Sequence, residues 1–249
     1  MGGGVWSVFL RGLLVQVSWS FQRMQGAGFF LMVWPALRRR HAGDPAGLAR
    51  AGVRSLQFFN THPYFAGLVA ATLLREEEEG RGGAQTDELA RTLASALGSV
   101  GDEFFWAHLR PLAALAALPL ALAGLGWAPL VLLALYNLPH LGVRWWGAAA
   151  GLARGRGVLT ALQRRLLSRA VPALGLAIAV IAGFLVGALP AYTAWGLVPG
   201  ALPRAVAAGV ALFALLVALC ARGLRPQHLL AGGVVAAFAA AGVALGVGQ

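Results

Sequence analysis

Apolar and polar positions are interspersed over the first part of the chain and separate after about residue 111, where long apolar runs take over. Residues 5–37 are mostly apolar, with Arg11, Gln16, Gln22, Arg23 and Gln25 set among them. This mixture predicts one or two amphipathic helices lying on or dipping into a bilayer. Trp6, Trp19 and Trp34 suit the interface of such a membrane. Residues 38–54 carry Arg38, Arg39, Arg40, Arg50 and Arg54 and read as a basic, water-facing segment.

A second apolar run, 56–74, is broken by Asn60-Thr61-His62-Pro63. Proline is tolerated in the first turn of a helix and pushes the residue before it out of the α region. The pattern therefore predicts a helix starting at Pro63, with His62 near its N-cap. Glutamates occupy 76–79, and Gly80 to Gly83 forms a flexible break. Thr86, Asp87 and Glu88 supply a cap and first-turn acids for a helix reaching about Leu97. Gly98 to Gly101 reads as an interruption, after which Asp102 caps a second short helix ending before Pro111. Two short helices around a glycine-rich break are the pattern of a discontinuous or re-entrant membrane element.

Residues 112–135 are apolar but carry Pro119, Gly124, Gly126 and Pro129, consistent with one kinked span or a hairpin. Asn137-Leu138-Pro139-His140 and Arg144-Trp145-Trp146 come next; the first reads as a capped, broken helix and the second as an interfacial anchor. Arginines at 154, 156, 164, 165 and 169 mark a loop on the cytoplasmic side. Three cleaner runs, 171–189, 205–221 and 229–247, approach the ~20 residues that cross a hydrocarbon core. The expected fold class is an all-α integral membrane protein. It has amphipathic N-terminal helices, discontinuous or re-entrant helical hairpins and about three cleaner C-terminal transmembrane helices. The expected division is 1–55, 56–150 as the core, 151–170 as the basic loop, and 171–249.

Composition strengthens the membrane reading. Of 249 residues, 59% are hydrophobic and 12% charged, about half the charged share of an average soluble domain. Mean hydropathy is +0.71. The net charge of +11 comes from 20 basic residues, all arginine. Because they flank apolar runs they indicate membrane topology rather than nucleic-acid binding. The single cysteine, Cys220, forms no internal disulfide and reads as a packing residue. With no lysine, no Walker A motif is present, and neither zinc spacing nor a nucleophile elbow appears, so no metal, cofactor or catalytic residue is expected. The N-terminus lacks a charged n-region and a small-x-small site, so no cleaved signal peptide is read.

Several blocks occur in order: Arg23-Met24-Gln25-Gly26; Phe58-Phe59-Asn60-Thr61-His62-Pro63-Tyr64; Gly101-Asp102 with Phe105-Trp106 and Arg110-Pro111; and Asn137-Leu138-Pro139-His140 with Arg144-Trp145-Trp146-Gly147. The series resembles the IID component of mannose/fructose/sorbose-family phosphotransferase systems. The resemblance implies a subunit that pairs with a second membrane subunit, IIC, to bind and translocate a hexose. Cytoplasmic IIA and IIB components would phosphorylate that sugar, and IID would not be an enzyme on its own. It also implies a hetero-oligomer in the bacterial cytoplasmic (inner) membrane. The family's Gly-Pro-rich lead into Gly-Asp stands here as Ser95-Ala96-Leu97-Gly98-Ser99-Val100, which keeps open a second reading, a non-transporting scaffold or sensor subunit.

Sugar hydroxyls are recognised by carboxylates, amides and guanidinium groups, and such groups inside a membrane are costly unless they serve a site. Asp102 leads the candidates, and its carboxylate reads equally as a helix cap. Asn60, Thr61 and His62 follow, at the break in an apolar run; His62 reads as structural rather than as a phosphate acceptor. Glu76 and Glu77 belong either to a solvated acidic face or to a pair with an arginine such as Arg110. Asn137, His140 and Gln25 complete the set of substrate-binding candidates.

Overall fold

The computed structural model describes residues 2–122, 124–158, 171–178 and 182. Among them the regular elements are helical, in the order α1 (Gly2–Gly12), α2 (Gly26–Arg40), α3 (Pro45–Ser55), α4 (Ala66–Glu78), α5 (Ala84–Gly101), a π-helical segment (Asp102–Leu109), α6 (Arg110–Leu122) and α7 (Ala128–Arg154). A 3-10 turn at Gly155–Gly157 follows α7. The chain divides into two compact units, Met1–Ala107 with Ala134–Ala170 and His108–Leu133 with Val171–Gln249.

In the first unit α4 is the central element and packs against α1, α2, α5 and the Gly155–Gly157 turn. Every residue from Ala66 to Leu74 is buried, as expected of a helix that is apolar all round. Gly147 and Gly151, one turn apart on α7, let that helix approach α4 closely. A Cβ on Gly151 would fall 2.7 Å from the Ala71 Cβ and 2.9 Å from the Leu68 oxygen. This small-xxx-small contact replaces side-chain interdigitation with backbone proximity. Trp145 packs on Trp6 and Phe9 of α1, with centroids 4.4 and 5.5 Å away. In the second unit α6 and the start of α7 are joined by a turn in which Leu125 N–H donates to the Leu120 carbonyl at 3.0 Å. The 112–135 run is thus two helices rather than one kinked span.

Several expectations are corrected. The Gly98–Gly101 stretch does not interrupt a helix: one helical run extends over Gln85–Ala121, 37 residues. It is, by length and composition, the one described helix able to cross a membrane. Gly101 serves close packing against His62 instead of a hinge, and Asp102, with φ −60° and ψ −45°, is helical rather than an N-cap. The helix expected from Pro63 starts at Ala66, because Pro63–Phe65 form a turn closed by Phe65 N–H on the His62 carbonyl at 2.9 Å. His62 is therefore not its N-cap. The helix expected from Thr86 begins at Ala84, and the Thr86 hydroxyl donates to the Arg81 carbonyl. Pro139 lies inside a continuous α7, so Asn137 and His140 flank no break. Residues 171–178 and 182 are helical; the expected spans 205–221 and 229–247 and the loop arginines beyond 158 lie outside the described residues.

Candidate functional site

The site is organised around a short extended stretch, Phe58–Thr61, an unusual element in a helical protein. An extended chain inside an apolar environment must find partners for its N–H and C=O groups. The Arg23-Met24-Gln25 block supplies them. Phe59 N–H donates to the Arg23 carbonyl (3.3 Å), and Gln25 N–H donates to the Phe59 carbonyl (2.8 Å). The Gln25 side chain continues the ladder: its amide nitrogen donates to the Thr61 carbonyl at 2.8 Å, and its amide oxygen accepts from Thr61 N–H at 3.4 Å. Gln25 is 3% exposed. Met24, between these rungs, has φ +49° and is held there by reciprocal backbone bonds with Ser20. Gln25 is thus a buried clamp on the backbone of Thr61. Gln25→Leu leaves two buried backbone groups unpaired and is expected to cost about 2 kcal/mol. That cost is to be read as a lowered unfolding midpoint of the purified protein; an unchanged midpoint would mean that the clamp is dispensable.

Extended backbone sends successive side chains to opposite faces. Phe59 (6% exposed) and Thr61 (5%) point into the fold, while Phe58 (60%) and Asn60 point outward. Phe59 stacks on Phe29 at 4.1 Å. An open cleft of about 710 Å³ runs between this stretch and α5. Asn60, Thr61 and Asp102 all border it, so the first-ranked sequence candidates are brought together. Ser95, Ser99, Arg91 and Arg54 also border it; sequence reasoning missed these four. Along α5 and into the π-helical segment the cleft-bordering positions 87, 91, 95, 98, 99 and 102 recur with helical spacing, a signal that could have identified them. The Thr61 hydroxyl oxygen is buried and has no hydrogen-bond partner among the described residues.

His62 lies directly behind the cleft and is 1% exposed. Its ring stacks on Phe105 (5.1 Å, 14°) and meets Tyr64 edge-on at 4.7 Å. Tyr64 in turn stacks on His140 (4.3 Å, 15°), and its hydroxyl pairs with that of Tyr136 at 3.0 Å. The Arg144 guanidinium sits 4.9 Å from the Tyr64 ring centre and donates to the Gly12 carbonyl, the last of α1. That carbonyl is the negative end of a helix dipole. Arg144 is therefore buried support between α1, Tyr64 and α7, not the interfacial anchor read from the sequence. His62 and His140 form parts of one packed column of rings, and Asn137 lies on the same helix as His140.

Glu76 and Glu77 belong to a separate charged cluster at the end of α4. The Glu76 carboxylate is fully buried; it accepts from Arg81 at 2.8 and 3.1 Å and from Arg156 at 2.7 Å. Glu77 pairs with Arg54 at 2.9 Å. Among the described residues these partners stand in place of the expected Arg110, which opens α6 in the second unit. The acidic run is not one solvated face: Glu76 is buried, whereas the Glu78 side chain is 59% exposed. Hydrogen bonding to Arg81 holds the Glu76 carboxyl below the usual carboxylate range, against the opposing effect of burial.

Comparison with known proteins places this architecture. The profile of the PTS system mannose/fructose/sorbose family IID component matches residues 3–194. The chain is 37% identical over 153 residues to the PTS system mannose-specific EIID component of Escherichia coli (strain K12), covering 59% of this chain and 54% of that protein. It is 34% identical over 172 residues to the sorbose-specific EIID component of Klebsiella pneumoniae (67% and 62% covered) and 31% identical over 160 residues to the fructose permease IID component of Bacillus subtilis (strain 168) (62% and 58%). The chain thus spans little more than half the length of the mannose-specific relative. Among solved structures, a chain of the complex of mannose transporter ManYZ with microcin E492 superimposes with a TM-score of 0.59 at 25% identity, covering 99% of this chain and 97% of that one. A structure described only as a membrane protein gives a TM-score of 0.68 at 24% identity (98% and 97%), a likeness of fold. The ordered blocks that build the Gln25–Thr61 clamp and the His62–Tyr64–His140 column lie inside the matched region, and the chain belongs to the mannose/fructose/sorbose family of phosphotransferase-system IID components.

Proposed function

We propose that this membrane protein acts as the IID subunit of a mannose-type permease, binding and translocating a hexose together with a IIC sister subunit. Cytoplasmic IIA and IIB components phosphorylate the sugar; this chain positions it and carries no phosphoryl group. The observation that carries the reading is the cleft bordered by Asn60, Thr61 and Asp102. It offers an exposed amide and an exposed carboxylate, groups that satisfy sugar hydroxyls, with the buried Thr61 hydroxyl beside them. The lining is largely polar, with Phe29, Phe58 and Phe59 set among the polar groups, a mixture suited to a polyhydroxylated ligand. Gln25 and His62 act from behind by holding the extended stretch in place. The Glu76 and Glu77 cluster fixes the end of α4 rather than touching sugar.

In this reading the protein resides in the bacterial inner membrane, in a hetero-oligomer, with the basic segment 154–169 on the cytoplasmic face. The apolar runs 171–189, 205–221 and 229–247 add membrane anchoring. The test is sugar uptake by cells expressing this chain with its IIC, IIA and IIB partners. Asp102→Asn is expected to lower uptake by about tenfold, the loss typical of a charge-assisted contact to a substrate hydroxyl, with unchanged amounts of protein in the membrane. Wild-type uptake by that variant would remove Asp102 from the mechanism.

A further inference from the structure

Phe58 has a role that polar-residue reasoning does not assign. It is 60% exposed, and its backbone is part of the ladder with Arg23–Gln25 rather than a loose loop. Its ring makes no aromatic contact among the described residues, in contrast with the stacked Phe59. It borders the 710 Å³ cleft and also a neighbouring cavity of about 330 Å³, so it stands on the wall between the two. Phe58 and Asn60 share the outward face of the extended stretch, two residues apart, which separates their Cα atoms by about 6.6 Å along the strand. Asp102, the first residue of the π-helical segment after α5, borders the same cleft.

We infer that Phe58 is the stacking platform for the ring of a cyclic hexose and thereby a specificity determinant of the cleft. A hexose ring presents a flat face of C–H groups and a rim of hydroxyls. The C–H face covers the exposed phenyl ring and removes apolar surface from water. The rim then points toward the Asn60 amide, which both donates and accepts, and the Asp102 carboxylate, which accepts. An acyclic polyol carries the same hydroxyls without a fixed flat face and gains little from the platform. This inference rests on the reading of the cleft as the sugar path.

The experiment measures binding of mannose, fructose, sorbose and the acyclic control mannitol to the purified complex of this chain with its IIC partner, by titration calorimetry. Wild type is compared with Phe58→Ala, Phe58→Leu and Phe58→Tyr. Phe58→Ala is expected to weaken binding of the preferred ring sugar by about tenfold or more, the loss that uncovering one phenyl ring implies. Phe58→Tyr should stay within about threefold of wild type and Phe58→Leu fall between, because only an aromatic face stacks fully. Discrimination against mannitol should shrink in Phe58→Ala. Equal affinity of wild type and Phe58→Ala would overturn the inference while leaving the sugar reading intact. So would a Phe58→Ala chain that no longer co-purifies with IIC, since the ring would then be an assembly contact. A wild-type complex that binds none of these ring sugars overturns the sugar reading itself, and this inference with it.

Discussion

Gly101→Ala is expected to destabilise the protein by about 3 kcal/mol, at the upper end of overpacking costs. For a chain of this length that corresponds to a fall of about 6–12 °C in melting temperature, measured on the purified protein in detergent. A Cβ at this position would lie 2.2 Å from the His62 Cβ and 2.3 Å from its Cγ. His62 has nowhere to retreat. Its ring is stacked on Phe105, its Nδ1 accepts from Tyr64 N–H at 3.4 Å, and the residue before it is clamped by Gln25. Relief therefore has to come from moving α5 away from Phe58–Thr61, which widens the cleft between Asn60 and Asp102. Sugar uptake should fall along with stability. The double variant Gly101→Ala/His62→Gly removes both colliding atoms, the His62 Cβ and Cγ, and should recover part of the melting temperature, giving a coupling energy that the single variants do not. A melting temperature within about 2 °C of wild type would show that His62 is free to swing aside and that the contact does not fix the cleft.

Glu76→Ala should be similarly damaging, by about 3 kcal/mol. Breaking a buried ion pair costs 3–5 kcal/mol, and both guanidinium groups here remain half in water, which favours the low end. The carboxylate joins Arg81, five residues on, to Arg156, eighty residues on, so its loss frees two segments together. Glu76→Gln keeps the shape and one acceptor and should cost less. The same cluster predicts a pH dependence. The Glu76 carboxyl is held below its ordinary range, so the folded state binds its proton more weakly than the unfolded chain does. Its stabilisation is therefore fully present above the ordinary glutamate pKa of about 4.3 and is lost as pH falls through the depressed folded value. Melting temperatures recorded from pH 7 downward should show an acid-side loss that is reduced in Glu76→Gln. Parallel profiles for the two proteins would sink the assignment.

The pattern of apolar and polar positions made N-terminal helices within 5–37 and the interruption at Asn60–Pro63 legible in advance, and left 112–135 open between one kinked span and a hairpin. Asn60, Thr61 and Asp102 stood out in the sequence as separate polar candidates, and the fold places all three on one cleft. What stayed hidden depended on partners distant in sequence. Gly98–Gly101 looked like a hinge because a glycine permits both flexibility and close approach, and only the position of His62 decides between them. Pro63 looked like a helix start because its φ suits one, yet the pinned Phe58–Thr61 stretch and the ring packing of Tyr64 delay the helix to Ala66. Glu76 was expected to meet a solvated face or an arginine such as Arg110, but it pairs with Arg81 and with Arg156, which the sequence placed in a loop. Arg144, flanked by tryptophans, had the composition of a membrane anchor, but nothing local reveals that its guanidinium reaches the end of α1.

The ladder between Arg23–Gln25 and Phe59–Thr61 has a consequence for how the molecule tolerates trimming. Neither Met24 nor Gln25 borders the cleft, so a version starting at Gly26 would keep every wall of the cleft in its sequence. It would still strip the Phe59 and Thr61 backbone groups of the partners that Arg23 and Gln25 supply. The segment before Gly26 therefore shapes a cleft it does not border, and a chain shortened past Gln25 should hold that cleft open in no single shape.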